Sequence, residues 1–183
     1  MKTITELFYF ILFSKNKNLY FIRYYADIKN VLAIFIFSAI SFSAGKMRLL
    51  NSDYGISEIM ISIAAGAAIL FFIAVIESLF IHISAKIFNN SGEYRCYLKS
   101  VILSFAPLIL YGPFSILSFY FSKTILVFLI LWIIILKIQM IKINYNLGFF
   151  KTLIILIFPI CLIISIISLS AVLIGILGLF SGI

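Results

Sequence analysis

Lys142-Ile143-Asn144-Tyr145-Asn146-Leu147-Gly148 and, after two phenylalanines, Lys151 to Pro159 (KTLIILIFP) decide the fold. A short polar, basic connection gives way to an unbroken apolar run, and the same alternation recurs along the chain. Of the 183 residues, 64% are hydrophobic and 11% charged, with a mean hydropathy of +1.25. Soluble domains are about 45–50% apolar and about 25% charged, and folding at this size still leaves roughly a third of the surface exposed. So much apolar surface has no water-soluble arrangement, and the solvent is therefore lipid. The fold class that follows is an all-α polytopic membrane protein with about five transmembrane helices, preceded by a short interfacial amphipathic helix.

Residues 1–29 form the interfacial segment. Thr3-Ile4-Thr5-Glu6 has the spacing of a capping box, and Lys15, Lys17, Arg23 and Lys29 alternate with Tyr20, Phe21, Tyr24 and Tyr25, a mixture suited to the headgroup layer. The apolar stretch from Leu7 to Phe13 is too short for a signal peptide and no small-residue cleavage site follows it. Residues 30–183 form the membrane domain, with spans at about 30–45, 58–83, 97–121, 124–141 and 152–180. Ser57 is placed to cap the second span, and Gly66 sits in its small-residue cluster, where helix backbones can approach closely. Pro107 and Pro113 predict a kink in the third span or a break at Tyr111-Gly112-Pro113, and Pro159 predicts a kink in the fifth. Ala171 with Gly175, and Gly178 with Gly182, repeat the small-xxx-small packing pattern in that last span.

The distribution of Lys and Arg orients the chain. Eleven of the 14 lie on one side: Lys2, Lys15, Lys17, Arg23 and Lys29 before the first span, Lys86, Arg95 and Lys99 between the second and third, and Lys137, Lys142 and Lys151 between the fourth and fifth. Lys46, Arg48 and Lys123 face the other side. The positive-inside rule then puts the N-terminus in the cytoplasm and the C-terminus outside, in the cell (inner, cytoplasmic) membrane. The net charge of +8 is spread over short flanking loops, which favours lipid headgroups as partners and gives nucleic acid no continuous surface.

Several landmarks fall in a recognisable order. Phe80-Ile81-His82-Ile83-Ser84-Ala85-Lys86 closes the second span, followed by the turn Asn89-Asn90-Ser91-Gly92. Ser104-Phe105-Ala106-Pro107 lies in the third, Trp132 in the fourth, and Lys151 to Pro159 opens the fifth. In this layout, from about Asn30 to Leu162, the chain resembles the Yip family, the Rab/Ypt-interacting membrane proteins, in its short bacterial form. Asn89-Asn90 stand where family members often carry glycines, and Gly148-Phe149-Phe150 where small polar residues usually precede the lysine. The acidic motif of the eukaryotic branch does not occur before the first span. The resemblance therefore implies a five-span fold and a non-enzymatic role, without carrying over the binding of small GTPases.

Glu77 is the one carboxylate deep within a span. A charge at that depth costs a few kcal/mol and demands a partner, water or a proton. Two readings stand: an ion, proton or headgroup site, or a structural hydrogen bond between spans. No second buried charge offers itself as its partner. His82 is the other candidate polar site. It shares a helix face with Lys86 near the cytoplasmic end, whereas Glu77, five residues earlier, points elsewhere. Lys86, Arg95, Lys99, Lys137, Lys142 and Lys151 are the candidate cytoplasmic contacts to lipid or to a partner.

A single histidine and two distant cysteines, Cys96 and Cys161, make no metal or redox signature, and no cofactor or catalytic site is expected. The function expected is that of a non-enzymatic membrane organiser, or an anchor or sensor for a protein partner, alone or as a homo-oligomer. The alternative is a small oligomeric channel or transporter for ions, protons or lipid that uses Glu77 and the proline-broken spans.

Overall fold

The computed structural model describes residues 27–49, 56–88 and 92–159, together with Ile11, Cys161 and Ser165. The described residues are helical and contain no strand. The helices are α1 (Ile28–Leu49), α2 (Ile56–Ile87), α3 (Tyr94–Ser104), α4 (Tyr111–Ser115), α5 (Phe119–Tyr145) and α6 (Phe149–Pro159), with a 3-10 turn over Ala106–Leu110 between α3 and α4. Four stretches are long and apolar enough to cross a membrane: Ile28–Lys46, Ser57–Ile87, Tyr94–Ser115 and Tyr120–Tyr145. The interfacial helix expected in residues 1–29 lies, apart from Ile11 and residues 27–29, outside the described part. So do Ala171, Gly175, Gly178 and Gly182.

Most observed helices outrun the expected spans because charged residues near their ends do not stop them, but the third span, Tyr94–Ser115, stops short of the expected residue 121. Asp27 starts α1, its side chain accepting from the Lys29 N–H at 3.3 Å, and the helix runs through Lys46 to Leu49 instead of ending at residue 45. Helix α2 begins at Ile56, so Ser57 is a first-turn residue and not the cap, and it continues past 83 to Ile87. Its 32 residues measure about 48 Å against roughly 30 Å of hydrocarbon, which leaves overhang or tilt.

The fourth span differs most. It starts at Phe119, where the Ser118 side chain caps it by accepting from the Phe121 N–H at 3.3 Å, and it ends at Tyr145. The stretch 119–145 holds no proline or glycine, so Ser122 and Lys123 lie within the helix and not in an exit loop. The connection read as Lys142 to Gly148 shrinks to three residues. Asn146 adopts the left-handed conformation (φ 51°) and the Leu147 N–H reaches back to the Lys142 carbonyl at 3.0 Å, a helix-ending pattern that asparagine tolerates.

The third span is broken and forms the centre of the bundle. Its apolar window is 61% buried, against 6% for that of α2, so the broken helix is the core and α2 a flank. The break comes earlier than expected. Pro107 has no N–H to continue the α ladder, and the chain tightens into the 3-10 turn from Ala106. Pro113 does not kink the span. It sits in the first turn of α4, where a missing N–H is tolerated. It does deprive the Ile109 carbonyl of the donor four residues on. Ser41 of α1 supplies the replacement: its hydroxyl donates to the Ile109 carbonyl at 2.6 Å and accepts the Gly112 N–H at 2.9 Å. One serine thus closes both ends of the break from a neighbouring helix.

Close approach elsewhere follows from small residues. A Cβ on Gly66 would collide with Ser43 Oγ, as expected for a packing glycine, and one on Gly45 would enter the Tyr111 ring. Buried Ser38, Ser84, Ser100 and Ser104 donate to carbonyls three or four residues earlier in their own helices, which removes a polar cost without adding bulk. Phe35 of α1 meets Phe71 and Phe105 edge-on at 6.2 and 6.3 Å, tying α1 to α2 and to the break.

Gly112→Ala would put a Cβ 2.6 Å from Ser41 Oγ and 3.1 Å from the Ser41 carbonyl oxygen. It is expected to lower stability in nanodiscs by about 1–3 kcal/mol. Ser41→Ala should cost about 1–3 kcal/mol by orphaning two backbone groups. Because the two residues share one contact, the double variant should lose measurably less than the sum; strict additivity in thermal or denaturant unfolding would contradict the clip.

Candidate functional site

Glu77 and Lys137 meet between α2 and α5. The ammonium of Lys137 donates to Glu77 Oε2 at 2.6 Å, with side-chain exposures of 11% and 20%. The Lys137 nitrogen also stands 4.9 Å above the Phe105 ring, at the start of the helix break. Glu77 therefore has the partner that the sequence reading lacked, and Lys137 is not a loop residue at all. It lies eight residues before the end of α5, roughly 12 Å along the helix axis. Its position inside the fourth span, in Trp132-Ile133-Ile134-Ile135-Leu136-Lys137, was the signal available in the sequence. Assigning it to the basic connection for topology concealed it.

The pair is a neutral unit. Separated, either charge would sit unsolvated in hydrocarbon; together they leave a dipole that two helices and an aromatic ring can hold. Beside it, α2, α5 and α6 enclose a cavity of about 660 Å³. Apart from Glu77 and Lys137 its described lining is apolar and includes Pro159, the last residue of α6. Cys161 and Ser165, beyond it, are in helical conformation.

His82 belongs to a second cluster, nearer the basic end. Its Nδ1 is 2.7 Å from the Tyr145 hydroxyl, and its ring stacks edge-on with Tyr94 at 5.5 Å. Tyr145 lies against Tyr97 at 5.4 Å, and Ser78 Oγ is 3.3 Å from the Tyr94 hydroxyl. Asn144 donates to the Glu93 carbonyl at 3.3 Å, and Gly92 is pressed so tightly against the Tyr145 ring that a side chain there has no room. These contacts pin the turn before α3 to the end of α5. The Tyr97 hydroxyl and Asn144 Oδ1 are buried without a hydrogen-bond partner. His82 was legible in the sequence as a polar candidate, but its grouping with Tyr94, Tyr97 and Tyr145 was not. Glu77 and His82 both engage α5, through different partners eight residues apart.

The order of the helices brings Lys86, Arg95, Lys99, Lys142 and Lys151 to one end of the bundle, with Lys86, Arg95, Lys142 and Lys151 exposed. The opposite end carries Lys46, Lys123 and Glu58. Of the six candidate contact residues, Lys137 is engaged within the bundle and Lys99 is partly buried. Cys96 and Cys161 are both thiols and form no disulfide with each other. Compared with protein-family models, with curated proteins and with solved structures, the chain matches none.

Glu77→Leu or Lys137→Leu alone should destabilise the protein by about 3 kcal/mol, because each leaves an uncompensated charge in the membrane. The double Leu variant should return to within about 1 kcal/mol of the parent, since an apolar pair of similar volume replaces a buried ion pair at little cost. Unfolding in nanodiscs reads both; a double variant as damaged as the sum of the singles would show that the two charges do not act on each other.

Proposed function

We propose that this protein is a non-enzymatic integral membrane protein that organises the membrane or anchors a protein partner, and that its basic end is the working surface. The observation that carries this reading is a division of labour among polar residues. Inside the bundle the ionisable side chains Glu77, Lys137 and His82 are engaged with one another or with tyrosines. At one end Lys86, Arg95, Lys142 and Lys151 are exposed together. Guanidinium and ammonium groups in such an array suit an acidic protein segment or anionic headgroups. The resemblance to the Yip family supports the same non-enzymatic role.

Under this reading the basic end faces the cytoplasm, the protein resides in the cell (inner) membrane, and any homo-oligomer forms laterally in the bilayer. The channel or transporter alternative has weaker support. A conduction path lines a water-filled cavity with ionisable residues free to exchange ions or protons, whereas the two that line this cavity, Glu77 and Lys137, are bound to each other and the rest of its described lining is apolar. Broken helices in transporters also expose their unwound backbone to the substrate, whereas here the break is closed by Ser41.

Two measurements test the proposal. In a background with Cys96→Ser and Cys161→Ser, single cysteines at Lys123 and Lys142 should react with an impermeant maleimide from opposite faces, Lys142 from the cytoplasm. A protein that co-purifies stoichiometrically with the parent should be lost from the triple variant Arg95→Gln, Lys142→Gln, Lys151→Gln, with folding intact. Proteoliposomes that pass protons or potassium, and stop doing so on Glu77→Gln, would instead establish the transporter reading.

A further inference from the structure

The cavity between α2, α5 and α6 differs from a packing defect in its size, its depth and its polar wall. At about 660 Å³ it falls within the range of roughly 300–1,000 Å³ typical of ligand sites. Ile76, Ile134 and Ile157 stand at its rim with exposures of 49%, 40% and 50%, so it opens sideways onto the surface that faces hydrocarbon. Its only described polar lining is the paired Glu77 and Lys137, so the cavity suits the chains of the surrounding bilayer better than water.

Lys137 gives the cavity a direction. An ammonium has three donors; Glu77 accepts one of them, and Phe105 covers one side of the nitrogen. Lys137 is also one of the residues that line the cavity. Helix α5 is about 40 Å long against roughly 30 Å of hydrocarbon, so a centred helix puts Lys137 about 7 Å inside the boundary at its Tyr145 end. That depth is within reach of the ester carbonyls of a phospholipid whose headgroup lies beside Tyr145 and Lys142. Because Glu77 neutralises Lys137, the group selected is a neutral or weakly charged oxygen acceptor and not a free anion.

We infer that this cavity is a phospholipid site: one acyl chain enters between α2, α5 and α6, and an ester oxygen of the same lipid accepts a hydrogen bond from Lys137. The site is independent of whether the basic end binds a protein.

The test uses the full chain in vesicles of phosphatidylethanolamine and phosphatidylglycerol that include a phosphatidylethanolamine with a diazirine in its acyl chain. After irradiation, peptide mapping should find label concentrated at Ile76, Ile134 and Leu156, over lipid-facing Phe128 and Leu131. Leu156→Trp, which fills the cavity, should lower that labelling about tenfold, equivalent to ~1.4 kcal/mol, while Leu131→Trp leaves it unchanged. Native mass spectrometry after detergent extraction should find one retained phospholipid on the parent and none on Leu156→Trp. Both Trp variants are checked for parental helicity, and Ile134→Trp serves as the cavity-filling variant if Leu156→Trp fails to fold. Equal labelling at Phe128 and Ile134 would reduce the lipid to ordinary solvent and overturn the site. A benzoylphenylalanine at Ile134 that captures residues 160–183 of the same chain in place of lipid would overturn it too.

Discussion

The structure depends on one constraint. A bilayer core offers no water to an unsatisfied polar group, so a break in a helix or a buried charge is costly unless other residues of the protein answer it. Two places show how they do so. The broken third span loses regular pairing at Pro107 and Pro113, and the Ser41 hydroxyl, arriving from α1, serves the carbonyl and the N–H that the break leaves open. Glu77 and Lys137, each costly alone, neutralise each other across α2 and α5. Both solutions link different helices, so satisfying the polar groups also fixes the arrangement of the bundle.

The two solutions meet at Phe105. Its backbone ends α3 just before the break, its ring lies under the Lys137 ammonium, and its edge contacts Phe35 of α1. Helix association in lipid has no hydrophobic driving force and relies on close packing and hydrogen bonds. An aromatic ring that touches α1 and α5 while terminating α3 serves that purpose well. At the basic end the His82, Tyr94, Tyr97 and Tyr145 cluster joins α2, α3 and α5 in the same way, with the turn at Gly92 and Glu93 held against Asn144 and Tyr145. A rigid end of this kind presents its exposed lysines and arginine at fixed positions.

Much of this architecture was legible in the sequence, because the bilayer imposes a coarse pattern that composition reveals. The apolar blocks announced the helices, and Gly66 was read as a packing glycine and packs as one, against Ser43. Helix ends were harder to read. Caps such as Ser118 and Asn146 act through local backbone geometry, and a charged residue such as Lys123 was mistaken for a boundary. The role of Ser41 was not legible, since nothing in one sequence says which serine faces which break. Lys137 was legible in principle. Its neighbours on both sides are span residues, but positive-inside bookkeeping placed it in a connection and so left Glu77 without its partner.

The contact between Glu77 and Lys137 within the bilayer is the central element of the bundle. The most direct measurement is a magic-angle-spinning NMR distance between the side-chain carboxyl carbon of Glu77 and the Nζ of Lys137, in protein reconstituted into lipid with 13C-glutamate and 15N-lysine. The structure places the nitrogen 2.6 Å from a carboxylate oxygen, so strong dipolar dephasing is expected, and it should vanish in Glu77→Gln. Absence of dephasing in the parent protein would mean that the two charges are apart and that no ion pair bridges α2 and α5.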